Sequence, residues 1–274
     1  MTDELLPNAR TGVAAGVPYV ALPPAGGARS APLVAVWHMM DAPRTETAMA
    51  AALPLAELAA WRVYLGLPMH GSRQPAGEAG PDDAAFPDPL LDIVAPVVRG
   101  AAAEFPAALA ELRTVLPVTD GPVGLVGASA GAAVALEVLA AGAIPVAAAA
   151  LVNPAVTARA VIGVGERAFG MRYPWTEESR AVADRLDFVA RAGEIARHHP
   201  EAPCCWSAER TTPRSSGPTS RRSPTPWRGS APPRTPSGWW RFPGSPTRSP
   251  RSRVWPLLPP SRPRHGSTRP SPSG

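Results

Sequence analysis

The sequence predicts an α/β fold: a doubly wound, mostly parallel sheet over residues 1–203 that lacks its last strands, followed by a disordered tail over 204–274. Three observations lead there. Short apolar runs alternate with Ala- and Leu-rich segments of helical spacing, as when parallel strands are joined by crossover helices. A Gly-Ala-Ser-Ala-Gly run at 127–131 stands between one apolar run and the helical segment after it. Composition then changes abruptly at Pro203.

Taken in order, Pro18-Tyr-Val-Ala-Leu22 reads as an early strand and residues 32–38 as a buried one ending at a polar loop. Residues 45–60 read as a helix and 61–67 as the next strand, with a Gly-, Pro- and Asp-rich loop from 68 to 89. Residues 90–116 space their apolar side chains as an amphipathic helix does, with a kink expected at Pro106. Residues 121–127 form a short strand of almost no polar character, 130–141 an Ala-rich helix stopped at Gly142, and 146–152 another buried strand. Residues 155–199 are helical and more polar, a cap-like segment placed to cover a pocket.

After Pro203 the periodicity stops. Residues 204–274 hold 13 Arg and one acid, Glu209, which leaves 14 Arg and 21 acids in the first 203 residues. The body is therefore about −7 and the tail about +12. Runs such as Thr212-Pro-Arg-Ser-Ser-Gly-Pro218 bury too little apolar area to offset chain entropy, so disorder is expected. All 27 basic residues of the chain are Arg, and with the abundance of Ala, Gly and Pro this points to a GC-rich coding sequence. The two cysteines, Cys204 and Cys205, are adjacent and supply neither a disulfide framework nor a metal site. The N-terminus has acids where a signal peptide needs basic charge, and the most apolar stretch, 146–152, is far shorter than a membrane span. A cytoplasmic protein with no membrane partner is the expectation.

The run 127–131 carries the chemistry. A nucleophile elbow needs a sharp strand-to-helix turn that lifts a hydroxyl above the sheet edge, with small residues on both sides. Gly127, Ala128, Ala130 and Gly131 all qualify, which makes Ser129 the candidate nucleophile. The helix that starts after it aims free N–H groups at developing negative charge, so the Ala130 amide is a natural oxyanion donor. The plainer reading, a tight Gly/Ser turn in an Ala-rich protein, explains the five letters but not their place between an apolar strand and a helix.

A second run, His38-Met-Met-Asp-Ala-Pro-Arg-Thr-Glu46, closes one strand and opens a helix. It resembles the HGxxGxRxE-like loop of α/β-hydrolases, and with the elbow it makes residues 15–203 similar to the bacterial esterase, dienelactone-hydrolase and prolyl-oligopeptidase-like groups of that superfamily. The resemblance implies an ester, thioester or peptide-like acyl bond as substrate, a small-molecule acyl compound as partner, and no cofactor or metal. It implies that Met40, with Met39 next in line, supplies the second oxyanion amide, and that His38 fastens the loop rather than acting as base. Met39 and Asp41 stand where the family usually has Gly. Residues 186–192 resemble the segment leading to the strand before the catalytic acid.

That acid and the base are not identified. The family order is Ser, then Asp or Glu, then His. Where the acid-bearing strand should begin, the chain reads Cys204-Cys-Trp-Ser-Ala-Glu-Arg210. Read from the third base of each codon, with GC-rich choices, residues 203–213 become Val-Leu-Leu-Val-Ser-Gly-Ala-Asp-Asp-Pro, a strand followed by carboxylates. The same shift turns residues 238–250 into a strand, a turn and a His. A frameshifted C-terminal part explains both losses at once. His70, His198, His199 and His265 read as loop or exposed histidines, and Asp184 and Asp187 as helix surface; none is nominated. Two rivals stand beside the hydrolase: an acyltransferase on the same fold, and a non-catalytic protein whose Arg-rich tail binds nucleic acid, although a merely solvated tail is the simpler account of that charge. Oligomeric state is not readable.

Overall fold

A computed structural model describes Leu6 and residues 8–74, 88–207 and 238–240. Its strands are β1 (Arg10–Ala14), β2 (Val17–Leu22), β3 (Leu33–Trp37), β4 (Trp61–Leu65), β5 (Val123–Ala128), β6 (Val146–Val152), β7 (Cys204–Ser207) and β8 (Gly238–Trp240). They form one sheet in the order β1-β2-β4-β3-β5-β6-β7-β8. From β4 to β7 neighbours run parallel, while β1, β2 and β8 join antiparallel. The helices are α1 (Glu46–Ala52), α2 (Ala95–Val115), α3 (Ala130–Ala141), α4 (Ala158–Phe169), α5 (Glu177–Arg185) and α6 (Ala192–His198).

Two apolar clusters occupy the two faces of the sheet. One gathers residues of α2 and α3 with Ile195 of α6; the other gathers Met49 and Ala50 of α1 with Val36, Tyr64 and Val126. Helices on both faces make the sheet doubly wound. Between β3 and α2, the Trp37 ring meets Phe105 edge-on at 4.9 Å between centroids.

Most elements lie where their sequence pattern puts them, and the departures have local causes. The helix expected over 45–60 stops at Ala52, because Pro54 forces Leu53 out of helical geometry (φ −134, ψ 69). Strand β1 carries mostly exposed side chains, which hides it from a search for apolar runs; it exists because Ala15 and Gly16, both at positive φ, turn it back onto β2. The helix expected at 90 begins with a π-helical turn, Leu90–Val94, and runs on through Pro106 as α2. Asp88 holds its start, accepting from the Leu90 and Leu91 amides at 3.0 and 2.9 Å.

Among the described residues, the stretch Leu90–Val115 is long and apolar enough to cross a bilayer by length and composition. In this fold it is a core helix, with Val97, Val98, Phe105 and Leu112 buried. The sheet also continues past residue 203, where the sequence shows no strand periodicity: β7 extends β6 in parallel and β8 closes on β7. The rest of the predicted tail lies outside the described residues. Strand β6 buries Ala149 and Leu151 but leaves Ala148 and Val152 exposed, and no described helix covers that face.

Candidate active site

Ser129 sits at the junction of β5 and α3 with φ 50 and ψ −114, a conformation outside the regions an L-residue ordinarily occupies. Such a residue costs about 1–3 kcal/mol and persists only where its surroundings over-determine it. They do so here. The Ser129 N–H donates to Val152 O at 2.9 Å, and the Ser129 carbonyl accepts from the amides of Ala132, Ala133 and Ala155 at 3.1, 3.2 and 3.4 Å. The backbone is pinned from α3 on one side and from the end of β6 on the other.

The flanking glycines answer to close approach. A methyl on Gly127 would overlap the Gly131 carbonyl and lie 2.6 Å from Ala132 Cα; one on Gly131 would overlap Trp37 O and lie 2.5 Å from His38 O. The first lets α3 fold back onto β5, and the second lets α3 press against the end of β3. The small residues at 127–131 are thus required by backbone packing on two sides.

The loop after β3 brings the second amide. His38 is fully buried, its Nε2 accepting from the Leu67 amide at 3.0 Å. The proton must then sit on Nδ1, which donates to Met39 O at 2.7 Å. Burial is the main reason its pKa falls to about 4, with nearby His70 adding a smaller push in the same direction. His38 is therefore a neutral clamp on the loop. Neither Met39 nor Asp41 takes a positive φ, so the side chains that replace glycine there are accommodated without backbone strain.

The two methionines point differently. Met39 donates its amide to Pro43 O at 3.2 Å and packs its side chain with the α1-side cluster. Met40 lines the cavity that holds Ser129 and Ala130. Among the described residues, neither the Met40 amide nor the Ala130 amide has a hydrogen-bond partner. The geometry thus gathers Ser129, Ala130 and Met40 and leaves Met39 engaged elsewhere.

That cavity, of about 50 Å³, is walled by Val94 and Val98 ahead of and within α2, Ala133 of α3, and Leu186 and Phe188 just after α5. Among the described residues, Ser129 is the one polar side chain in the wall. Sequence reasoning missed the wall residues individually; the only signal was the helical periodicity that marked 155–199 as a cover.

No carboxylate or imidazole lines the cavity among the described residues. His70 caps the loop after β4 through Pro68 O, and His198 packs against Gly142 at the far end of α3. His199 is buried, with its pKa lowered chiefly by desolvation. Asp184 pairs with Arg159 at 2.8 Å, and Asp187 accepts from the Ala190 amide at 3.0 Å. His265 and Glu209 lie outside the described residues. No group of three or more His, Cys, Asp or Glu among the described residues could hold a metal ion.

The sheet is doubly wound and mostly parallel, as the sequence predicts, and solved structures resemble the chain at low identity. The chain is similar to the TT1662 protein of Thermus thermophilus (20% identity, TM-score 0.46, covering 75% of this chain and 90% of that one). It is similar to an acetyl xylan esterase from Paenibacillus sp. R4 (14% identity, TM-score 0.47, covering 70% and 65%). It is also similar to the acylaminoacyl peptidase of Pyrococcus horikoshii (14% identity, TM-score 0.46, covering 72% of this chain but 31% of the peptidase). No family model matches the chain, and no curated protein matches it in sequence.

Proposed function

We propose that Ser129 is the nucleophile of a serine acyl hydrolase, acting on an ester or peptide-like acyl bond, in a chain whose triad acid and base are missing. One observation carries the reading: a non-glycine residue at φ 50 and ψ −114, held at the amino end of α3 beside two unpartnered amides. Strain of that kind gathers where a hydroxyl must be presented to a substrate, and here four backbone hydrogen bonds maintain it.

Attack of Ser129 Oγ on a carbonyl carbon would place negative charge on the carbonyl oxygen. The Ala130 and Met40 amides, at the helix start and in the clamped loop, are the donors that would meet it. Each such donor is worth roughly 10²–10³ in rate in serine hydrolases. What the site lacks is a proton acceptor for Oγ–H, and without one the nucleophile stays weak. The shifted reading frame beyond residue 203 accounts for that lack.

A fluorophosphonate probe followed by peptide mass spectrometry tests the reading. Slow adduct formation confined to Ser129 is expected, with labelling rising by orders of magnitude in a protein made from the coding sequence shifted back after residue 203. Rapid labelling of the chain as it stands contradicts the missing triad. A restored frame without a downstream Asp and His removes the frameshift, and an adduct on another residue removes Ser129.

A further inference from the structure

The outer side of α4 carries apolar side chains that the fold does not use. Among the described residues, six large apolar side chains are exposed, and three of them, Val164, Met171 and Val189, fall within residues 153–199. Two of these adjoin the Ser129 cavity from outside: Val164 stands one turn after Val161, and Val189 next to Phe188, both of which wall it. We propose that α4 and the loop after it dock on an anionic lipid surface, bringing the Ser129 cavity against that surface.

Helix geometry sets the apolar row. At about 100° per residue, Val161, Val164 and Ala168 fall within about 60° of one another on α4, while the buried Ala158 and Ile162 lie on another side. The row climbs out of the core: Val161 is half-buried, Val164 is 58% exposed and Ala168 is exposed. Met171, just past the Gly170 that ends the helix, is 68% exposed.

Charge selects the partner. In a body of about −7, residues 152–176 hold three Arg and one acid, Glu166. Glu166 lies on the far side of α4 from Val164 and accepts from the Tyr173 amide at 2.8 Å. Arg159 pairs with Asp184 at 2.8 Å and lies over the Trp175 ring. Arg167 and Arg172, next to Ala168 and Met171 in the chain, have no ion-pair partner among the described residues.

An apolar row edged by free guanidiniums suits an anionic bilayer: aliphatic groups enter the headgroup boundary, and each cation adds attraction. A second copy seated on the same face about a twofold axis would set these guanidiniums against their own counterparts. A protein partner would grip aromatic anchors. The two rings here are already committed, Tyr173 to Asp88 at 2.5 Å and Trp175 between Tyr173 and Arg159. Peripheral contact needs no spanning stretch, so the short apolar run 146–152, which argues against a span, does not argue against it.

Photolabelling of the full-length protein tests this. Vesicles of phosphatidylcholine and phosphatidylserine carrying a diazirine-tagged acyl chain are irradiated with the protein, and labelled peptides are located by mass spectrometry. Label is expected within residues 161–175. The Arg-rich residues 204–274 should attract the same vesicles, so the comparison is made site by site with variants at exposed positions. Val164→Glu combined with Met171→Glu should cut the label at 161–175 by about tenfold or more. Arg167→Gln and Arg172→Gln should each cut it about fivefold, the effect of one guanidinium near an anionic surface. Label beyond residue 203 should stay unchanged in all of them. Label confined to 204–274, label at 161–175 that the Glu variant leaves unchanged, or equal label on phosphatidylcholine alone overturns the proposal. So does a lipid-free dimer in sedimentation that the Glu variant dissociates, since a second copy then covers this face. Ser129→Ala should dock as the native chain does, so a failure of Ser129 to react with fluorophosphonate leaves the docking result standing.

Discussion

Lowering the pH should loosen the loop that carries Met40, and His38 is the group through which it acts. The proton that His38 would gain has to go on Nε2, the atom that accepts from the Leu67 amide, so protonation breaks the clamp. The folded protein resists it down to a pKa of about 4, whereas the unfolded chain takes the proton near 6.5. At about 1.4 kcal/mol per pH unit, that gap corresponds to about 3 kcal/mol. The sign follows from a depressed histidine: the contribution is complete above pH 6.5, falls as the pH drops towards 4, and is gone below it. Urea unfolding followed by tryptophan fluorescence at pH 7, 6, 5 and 4.5 measures the slope. His199, whose pKa is also lowered, adds to the raw slope in the same direction, so the comparison is with His38→Gln. That variant should be less stable at pH 7 and should lose less stability across the window, by about 2–3 kcal/mol. An identical slope in the two proteins would refute the assignment of His38 as a buried neutral clamp.

Three further outcomes follow from the elbow and the cap. Gly131→Ala places a methyl against two carbonyl oxygens of the chain leaving β3 and should cost about 3 kcal/mol in urea unfolding; a loss below about 1 kcal/mol means α3 does not press there as described. Ser129→Gly relieves the positive φ and should raise stability by about 1 kcal/mol, while Ser129→Ala, which keeps a β-carbon, should not; equal effects would speak against strain at this residue. Tyr173→Phe removes the hydroxyl that donates to Asp88 at 2.5 Å and should cost about 1.5 kcal/mol, with faster amide exchange in α4 and α5 and unchanged exchange in α3.

The parts of this fold legible from the sequence are those whose causes are local. Helix α3 was readable to the residue because an Ala-rich run ends at a glycine, and β6 because Val146–Val152 is apolar throughout. The elbow was readable because Gly127 is demanded by Gly131 and Ala132 a few residues on, although the contact that demands Gly131, with the chain leaving β3, is distant in sequence. Strand β1 was not, since its side chains face solvent and its pairing depends on a two-residue turn. Nor could the sequence separate Met39 from Met40: both are flexible and apolar, and only the Pro43 carbonyl that takes up the Met39 amide tells them apart. The cavity wall was hidden for a related reason, since Val94, Leu186 and Phe188 meet across almost a hundred residues of chain.

The same distinction yields a last expectation, about the tail. Every hydrogen bond that holds Ser129 in its strained conformation comes from residues 132–155, and the loop carrying Met40 is clamped by Leu67 and Pro43. None of these partners lies beyond residue 203. A chain ending after β7 should therefore keep the elbow, and Ser129 should take up fluorophosphonate at the same slow rate as in the full-length protein. If Glu209 or His265 acted as acid or base, the truncated chain would label more slowly, since an activating base speeds a hydroxyl by factors of roughly 10²–10⁴. Measured rates within about twofold of each other leave the tail outside the chemistry. A drop of tenfold or more places the missing proton acceptor within residues 208–274 and overturns the reading of this chain as a nucleophile without its partners.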